Sequence, residues 1–171
     1  MNSTTRLRSI AFFLLASLMP GVDGSVLHAK DSLVVNPAPG FTGGASAGRK
    51  ITLASLKGKP VVLVIAPSPK DHAFRDQMSE FRGRYERMAS LGMLFFAAFT
   101  TDGGRIPSNI PFILVDDPSS VASAYDITRG FAVAVIGRDG NLDCLSTKPL
   151  PGQRILDLSM NNADVQLGLR R

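Results

Sequence analysis

Continuous apolar runs and helical periodicity alternate along the middle of the chain. The runs "VVLVIA" (61–66) and "MLFFAAF" (93–99) predict strands that are buried on both faces of a sheet. Between them, apolar residues recur at spacings of four, three, four and three, which predicts one face of a helix: Phe74, Met78, Phe81, Tyr85 and Met88. Asp71 is a candidate N-cap and Gly92 a candidate C-terminal glycine of this helix. The pattern predicts a strand–helix–strand unit with a right-handed parallel crossover.

The second half of the chain predicts a further strand and helix, then a hairpin and a last helix. "FILVDD" (112–117) is typical of a short strand, and "PSSVASAYDI" (118–127) of a short helix with Pro118 in its first turn. "FAVAVIGRDGNLDCLS" (131–146) predicts a hairpin that turns at Asp139-Gly140. "PGQRIL" (151–156) begins an amphipathic helix. We therefore expect an α/β fold, with a mixed central sheet and helices on both of its faces.

The first 24 residues have the three parts of a secretory signal peptide. Arg6 and Arg8 precede the apolar stretch Ile10–Met19, Pro20 and Gly21 interrupt it, and cleavage is predicted after Gly24. This stretch of about ten residues is short for a membrane-spanning helix, which needs about 20. An uncleaved anchor is the alternative. We expect an exported protein, periplasmic or extracellular, with no stable membrane insertion after the signal is cleaved.

The remaining chain divides into an extended Pro/Gly-rich segment at 25–50 and a domain at 51–171. The formal net charge of the whole chain is +5. Because the basic residues are scattered among acids, we expect no nucleic-acid partner. An unidentified protein or surface is the expected partner. One option is an acidic polymer that binds the basic side of the first helix: Arg75, Arg82, Arg84 and Arg87.

Three stretches resemble the peroxiredoxin and membrane-tethered thioredoxin group of the thioredoxin-like superfamily. "LASLKGKPVVLVIAPS" (53–68) resembles the opening of those proteins, and "FILVDDPSSVASAYDI" (112–127) is similar to the segment before their third core strand. "RGFAVAVIGRDGNL" (129–142) resembles that strand and its turn. The ending "VIGRDG" also resembles an exported thioredoxin-related family, a domain of unknown function whose members lack the redox cysteine pair. The resemblance implies a thioredoxin-like fold.

The resemblance also indicates where redox chemistry would lie, and the residues there cannot perform it. Counted from Gly58-Lys59, the two cysteines of the thioredoxin type fall at Lys70 and Ala73. The Thr and Cys of the peroxiredoxin type fall near Asp71 and Phe74. The proline that faces the cysteines is replaced by Phe131, where we expect a trans bond because a non-proline cis bond costs about 2.5–4 kcal/mol. The degenerate redox-loop positions are Ser68, Lys70, Asp71, His72 and Ala73.

No other residue pattern predicts a catalytic or metal site. Cys144 is the only thiol, and the neighbouring Asp143 would disfavour its thiolate. Asp71 and His72 are adjacent in sequence and therefore do not face each other on a helix. With two His and one Cys in the chain, neither a metal site nor a cofactor is expected.

These observations predict an exported thioredoxin-fold protein that is redox-inactive and acts as a non-catalytic binding or structural module. The alternative is an enzyme, a thiol oxidoreductase or peroxiredoxin-like antioxidant protein that uses Cys144 or an unrecognised site. Absence of the cysteine pair favours the non-catalytic hypothesis.

Overall fold

A seven-stranded mixed sheet organises residues 36–44 and 49–160, which a computed structural model of the protein describes. The predicted signal peptide and residues 161–171 lie outside the described residues. The strands are β1 Thr42–Gly44, β2 Lys50–Thr52, β3 Val61–Ala66, β4 Leu94–Phe99, β5 Phe112–Val115, β6 Ala132–Ile136 and β7 Leu142–Ser146. The helices are α1 His72–Arg82, α2 Tyr85–Ser90, α3 Pro118–Ala124 and α4 Gly152–Met160, with a 3-10 turn at Leu53–Leu56. The order across the sheet is β2-β1-β5-β4-β3-β6-β7.

β3 lies in the middle of the sheet and is buried along its whole length. It pairs in parallel with β4 and antiparallel with β6, so that Val61 lies opposite Ile136 and Ile65 opposite Ala132. The β-branched residues of this strand have neighbours on both faces, as the uninterrupted apolar run predicts. The parallel β3–α1–β4 unit is confirmed.

Two apolar cores cover the two faces of the sheet. One core contains side chains of α1, α2 and α4, including Phe74, Phe81 and Ile155. The other contains side chains of α3 and the 3-10 turn, including Val121 and Leu53. Helices therefore lie on both faces of a mixed sheet, and the predicted fold class is confirmed.

The long helix predicted between β3 and β4 is wrong in one respect, because it is divided into α1 and α2. The Gly83 N–H donates to Ser79 O, four residues back, at 3.4 Å, whereas the Arg84 N–H donates to Phe81 O, three residues back, at 2.9 Å. Arg84 itself has a non-helical φ of −132°. Glycine inside a helix has a high conformational-entropy cost, so a break at Gly83 is inexpensive. Met88 remains fully buried after the break, and Gly92, at φ +72°, follows the end of α2 as predicted.

Residues 36–41 form an extended strap under the second core. The strap is fixed at the β6–β7 turn, where Leu142 N–H donates to Asn36 O at 2.8 Å and Ala38 N–H donates to Gly140 O at 3.1 Å. Tyr125 Oη donates to Pro39 O at 3.0 Å, and burial raises the pKa of this phenol well above its ordinary value. The described part of the predicted extended segment therefore docks on the domain.

The sequence pattern missed strand β1, which follows the strap and lies inside the predicted extended segment. β1 pairs with β5, so that Gly43 lies opposite Val115. A Cβ on Gly43 would lie 2.8 Å from Leu114 O and 2.9 Å from Ile113 Cγ2. Glycine is therefore required at this close approach, and the same residue removes the side-chain alternation that would have indicated a strand.

Candidate functional site

The turn between β3 and α1, residues 67–71, lies at the carboxyl end of the central strand and is called the β3–α1 loop. Ser68 organises it: the Asp71 N–H donates to Ser68 O at 3.1 Å, and the Lys70 N–H donates to Ser68 Oγ at 3.2 Å. Pro69 is buried, whereas Lys70 is exposed. The loop is thus a closed turn that presents Lys70 to solvent.

The β3–α1 loop is also fixed from the side of β4. The Thr100 N–H donates to Ala66 O at 3.0 Å, and the N–H groups of Thr101 and Asp102 both donate to Pro67 O at 3.0 Å. The carbonyl groups that lead into the loop are therefore satisfied by backbone partners. Together with two prolines, these bonds hold one loop conformation.

Asp71 caps α1, as its position predicts. Its Oδ1 accepts a hydrogen bond from the Phe74 N–H at 3.0 Å. Ala73 lies in the first turn of α1 and packs, half-buried, against the first core. The two positions counted for a thioredoxin-type cysteine pair, Lys70 and Ala73, therefore lie on either side of the start of α1.

His72 does not join the polar groups of the loop. Its Nδ1 lies 2.9 Å from Asp76 Oδ2, one turn along α1, and its side chain is 82% exposed. Among the described residues, neither Ser68 nor Asp71 forms a hydrogen bond with the imidazole. Because a nucleophile needs a base within hydrogen-bond reach, Ser68, Asp71 and His72 do not constitute a hydrolytic site.

Phe131 lies immediately before β6 and is buried in the same core as Phe74 and Ala66. All peptide bonds of the described residues, including the one that precedes Phe131, are trans. An aromatic side chain thus occupies the position opposite the loop that the family resemblance assigns to a proline.

Cys144 lies far from the β3–α1 loop. It is opposite Val135 on β6, which in turn is opposite Val62, four residues before the end of β3. At about 3.3 Å per residue, this places the level of Cys144 about 13 Å below Ala66 along the sheet. The thiol is half-buried and packs against the first core.

The carboxyl group next to this thiol, that of Asp143, has a raised pKa of about 6. Partial burial is the larger cause, and the nearby charge of Asp139 adds to it. At neutral pH Asp143 is still mainly ionised, and the residue is more exposed than Cys144, which packs against the first core.

A cleft of about 300 Å³ opens beside the carboxyl ends of β3 and β4, on the α3 side of the sheet. Ile65 and Thr100 line it from the strands, and Arg129 and Gly130 from the segment before Phe131. Hydroxyl groups contribute the rest of its polar lining: Ser119, Ser123 and Thr128. This Arg129 cleft gives the loop end of the sheet a concave polar surface, which the sequence reasoning missed because its lining comes from separate segments.

Residues 36–44 and 49–160 contain no group of three or more His, Cys, Asp or Glu that could hold a metal ion. None of the helices in that part of the chain is long and apolar enough to cross a membrane.

The fold and the position of the β3–α1 loop define a thioredoxin-like protein. The family model described as the AhpC/TSA family matches residues 34–144, and the chain belongs to that family. No curated protein sequence matches the chain. The narrower resemblance to an exported family without the cysteine pair stays a prediction.

Solved structures share this fold at low sequence identity. A thiol:disulfide interchange protein from Bacteroides sp. is 16% identical with a TM-score of 0.58, over 75% of this chain and 91% of that chain. The peroxidoxin BcpB from Mycobacterium tuberculosis is 15% identical with a TM-score of 0.55, over 75% and 97%. An exposed lipoprotein thioredoxin from Streptococcus pneumoniae is 15% identical with a TM-score of 0.53, over 72% and 100%.

Proposed function

We propose that this protein is an exported, redox-inactive member of the AhpC/TSA family that acts as a binding or structural module. One observation carries the proposal: the start of α1 has no thiol, and the only cysteine of the chain lies at a level about 13 Å below Ala66, the last residue of β3, along the sheet. The residues at the counted positions are Lys70 and Ala73, or Asp71 and Phe74.

The location matters because a helix N-terminus lowers the pKa of a cysteine, and the thiolate is the reactive species. Cys144 lies instead in the middle of β7, with the partly buried carboxyl group of Asp143 beside it. Its position therefore lacks the helix terminus that activates a thiol.

A binding role has support at the loop end of the sheet. Lys70 on the loop and His72 at the start of α1 are exposed on a backbone that is fixed, so that binding would cost little ordering entropy. The Arg129 cleft opens near the same ends of β3 and β4. We propose that this end of the molecule binds a protein partner, which contacts both the β3–α1 loop and the Arg129 cleft.

An enzyme that uses Cys144 is the second candidate. It is favoured by membership of the AhpC/TSA family and by the partial exposure of the thiol. Such an enzyme would need an external thiol to reduce its oxidised cysteine in each cycle, because the chain has no other cysteine that could do so.

Peroxide consumption and disulfide reduction separate the two candidates. We expect the purified chain, with dithiothreitol as reductant, to consume hydrogen peroxide and to reduce insulin no faster than its Cys144→Ser variant. Turnover by the unmodified chain that disappears in Cys144→Ser would overturn the redox-inactive proposal.

Export is tested separately in cells that produce the full chain. We expect the protein outside the cytoplasm, with an amino terminus at Ser25 after cleavage behind Gly24. An intact amino terminus in the cytoplasmic fraction would contradict the export proposal and leave the thiol result unaffected.

A further inference from the structure

Three arginines line one cleft at the junction of α1, α2 and α4. Its volume is about 320 Å³, and we call it the arginine cleft. Its lining residues are Arg82, Gly83, Arg84, Tyr85, Glu86, Arg87, Gln153 and Leu156. Two other clefts on the described surface each include a single arginine, Arg105 or Arg129.

The break between α1 and α2 creates this cluster. A continuous helix would direct residue 82 away from residues 84 and 87, because positions two or five residues apart do not share a face, whereas positions three apart do. The change of direction after Gly83 brings all three into the lining of one cleft. This is why the basic side predicted for a single helix did not reveal the cleft.

α4 forms the opposite wall at a close approach that only glycine allows. A Cβ on Gly152 would lie 2.7 Å from Glu80 O and 3.0 Å from Arg84 Cγ. The Gly152 N–H donates to Glu80 Oε2 at 3.0 Å. The aliphatic part of Arg84 therefore packs against the start of α4. Because this contact already restricts the side chain, binding of a ligand costs less side-chain entropy.

No ion pair within the described residues involves the arginines of the cleft. The ion pairs there are Lys50–Asp116 and His72–Asp76, so that none of the three guanidinium groups lies within 4.0 Å of a carboxylate. Glu86 is the one acidic residue in the lining, which leaves a formal excess of two positive charges there, and the adjacent carboxylate of Glu80, which accepts from the Gly152 N–H, reduces this excess to one. Asp157 Oδ1 accepts a hydrogen bond from Gln153 Nε2 at 2.9 Å.

Tyr85 and Gln153 add neutral recognition groups. Tyr85 is half-buried, and its ring packs at 5.9 Å from the ring of Phe95, so the ring is fixed by the core. It offers an apolar surface with a polar tip. The Gln153 side chain contributes an amide next to it.

We propose that the arginine cleft binds an acidic sugar unit of an anionic oligosaccharide. Guanidinium groups match carboxylate and sulfate oxygens in pairs, whereas Tyr85 and Gln153 suit the alternating C–H and O–H groups of a sugar ring. The volume lies at the lower end of small-molecule sites, about 300–1,000 Å³, and so fits one ring with its neighbours outside. The inference goes beyond the protein partner proposed for the loop end, because it assigns a ligand to a separate surface.

Calorimetric titration of the full chain with a sulfated heparin hexasaccharide at about 0.15 M salt tests this proposal. The variant Arg82→Gln/Arg84→Gln/Arg87→Gln should lower the affinity by about tenfold or more, because charge-assisted hydrogen bonds are lost. The control Arg75→Gln/Arg105→Gln/Arg138→Gln removes the same charge from exposed sites elsewhere and should lower it less than about threefold. The single variant Arg87→Gln repeats the test if the triple variant does not fold.

Three results would overturn the proposal. They are equal losses in the two triple variants, no binding of the hexasaccharide by the unmodified chain, and equally tight binding of hexaglutamate, which would indicate an acidic peptide ligand. Maltohexaose, which is uncharged, should not bind. None of these results depends on the peroxide and insulin measurements, so failure of this inference is distinguishable from failure of the redox-inactive proposal.

Discussion

The two ends of the central strand β3 differ in a way that explains the proposed loss of chemistry. At the carboxyl end, the β3–α1 loop and the start of α1 form the kind of environment that activates a thiol, but no thiol is there. Near the amino end, at the level of Val62, Cys144 is a thiol in a strand without a helix terminus or a basic neighbour in its register. Position rather than the presence of a cysteine decides reactivity.

The most severe test of this comparison places thiols at the loop end. In a Cys144→Ser background, Lys70→Cys/Ala73→Cys should produce a protein that reduces insulin at least about 100-fold faster than the Cys144→Ser parent. The reason is that the start of α1 lowers the thiol pKa. Insulin turbidity with dithiothreitol as reductant measures the change.

A matched pair with the same spacing at the other end of the same helix is the control. Ser79→Cys/Arg82→Cys replaces two exposed residues in the last turn of α1, where the helix dipole disfavours a thiolate. Equal activity of the two pairs would show that the loop end has no special chemical environment.

Gln77 connects the two regions, because it lies on α1 and contacts the segment that follows β7. Its side chain is fully buried, its Nε2 donates to Leu150 O at 3.0 Å, and its Oε1 accepts from the Leu150 N–H at 2.7 Å. Gln77→Ala leaves two partly buried backbone groups of Leu150 unpaired and should lower the free energy of unfolding by about 2 kcal/mol. Urea denaturation followed by circular dichroism measures the loss.

Gln153→Ala removes an exposed glutamine of α4 and should change the free energy of unfolding by less than about 0.5 kcal/mol. If both variants lost the same stability, the buried contact between Gln77 and Leu150 would not be what joins the two regions.

The smallest expected effect concerns Asp143, beside the thiol. Because the folded pKa is raised to about 6 from 3.8, the native state holds the proton more tightly, and the stability this gives is lost as pH rises through about 4–6. Asp143→Asn should therefore stabilise the protein at pH 7 but not at pH 3. Since the carboxyl group is only partly buried and solvent screens its charge, the gain should stay below about 1 kcal/mol.

Thermal unfolding at pH 7 and pH 3 measures the effect of Asp143→Asn, with Asp102→Asn as the control. Asp102 is exposed in the segment after β4, and its replacement should change stability by less than about 0.5 kcal/mol at both pH values. A stabilisation by Asp143→Asn that is equal at both pH values would contradict the assigned titration.

The sequence was sufficient for the sheet core but not for the surfaces around it. Apolar runs identify β3 and β4 because burial on both faces leaves little choice of residue type. Gly83 carried no comparable signal, because an isolated glycine is tolerated inside many helices, and the helix break was missed. β1 was missed because the residue that lets it approach β5, Gly43, also erases the strand pattern.

The candidate site divides in the same way. Asp71 as a helix cap follows from local chemistry and was predicted from the sequence. The two clefts depend on contacts between residues distant in sequence, such as Arg84 with Gly152, and no local pattern encodes those contacts. The one local signal that could have indicated the arginine cleft is the group of arginines around Gly83 within a predicted helix.

The strap is attached at one pole of the domain, the end with the β6–β7 turn. Within the part of the chain that the structure describes, it forms no hydrogen bond with the β3–α1 loop at the opposite pole. Asn36 and Ala38 are fastened to the turn between β6 and β7, which lies beyond the amino end of β3, and Tyr125 holds Pro39 in place. The β3–α1 loop lies at the other pole, about 20 Å away along the six residues of β3. Anything that holds the protein by the chain at Asn36 leaves Lys70 and His72 pointing outward, where a partner can approach them without obstruction from the attachment.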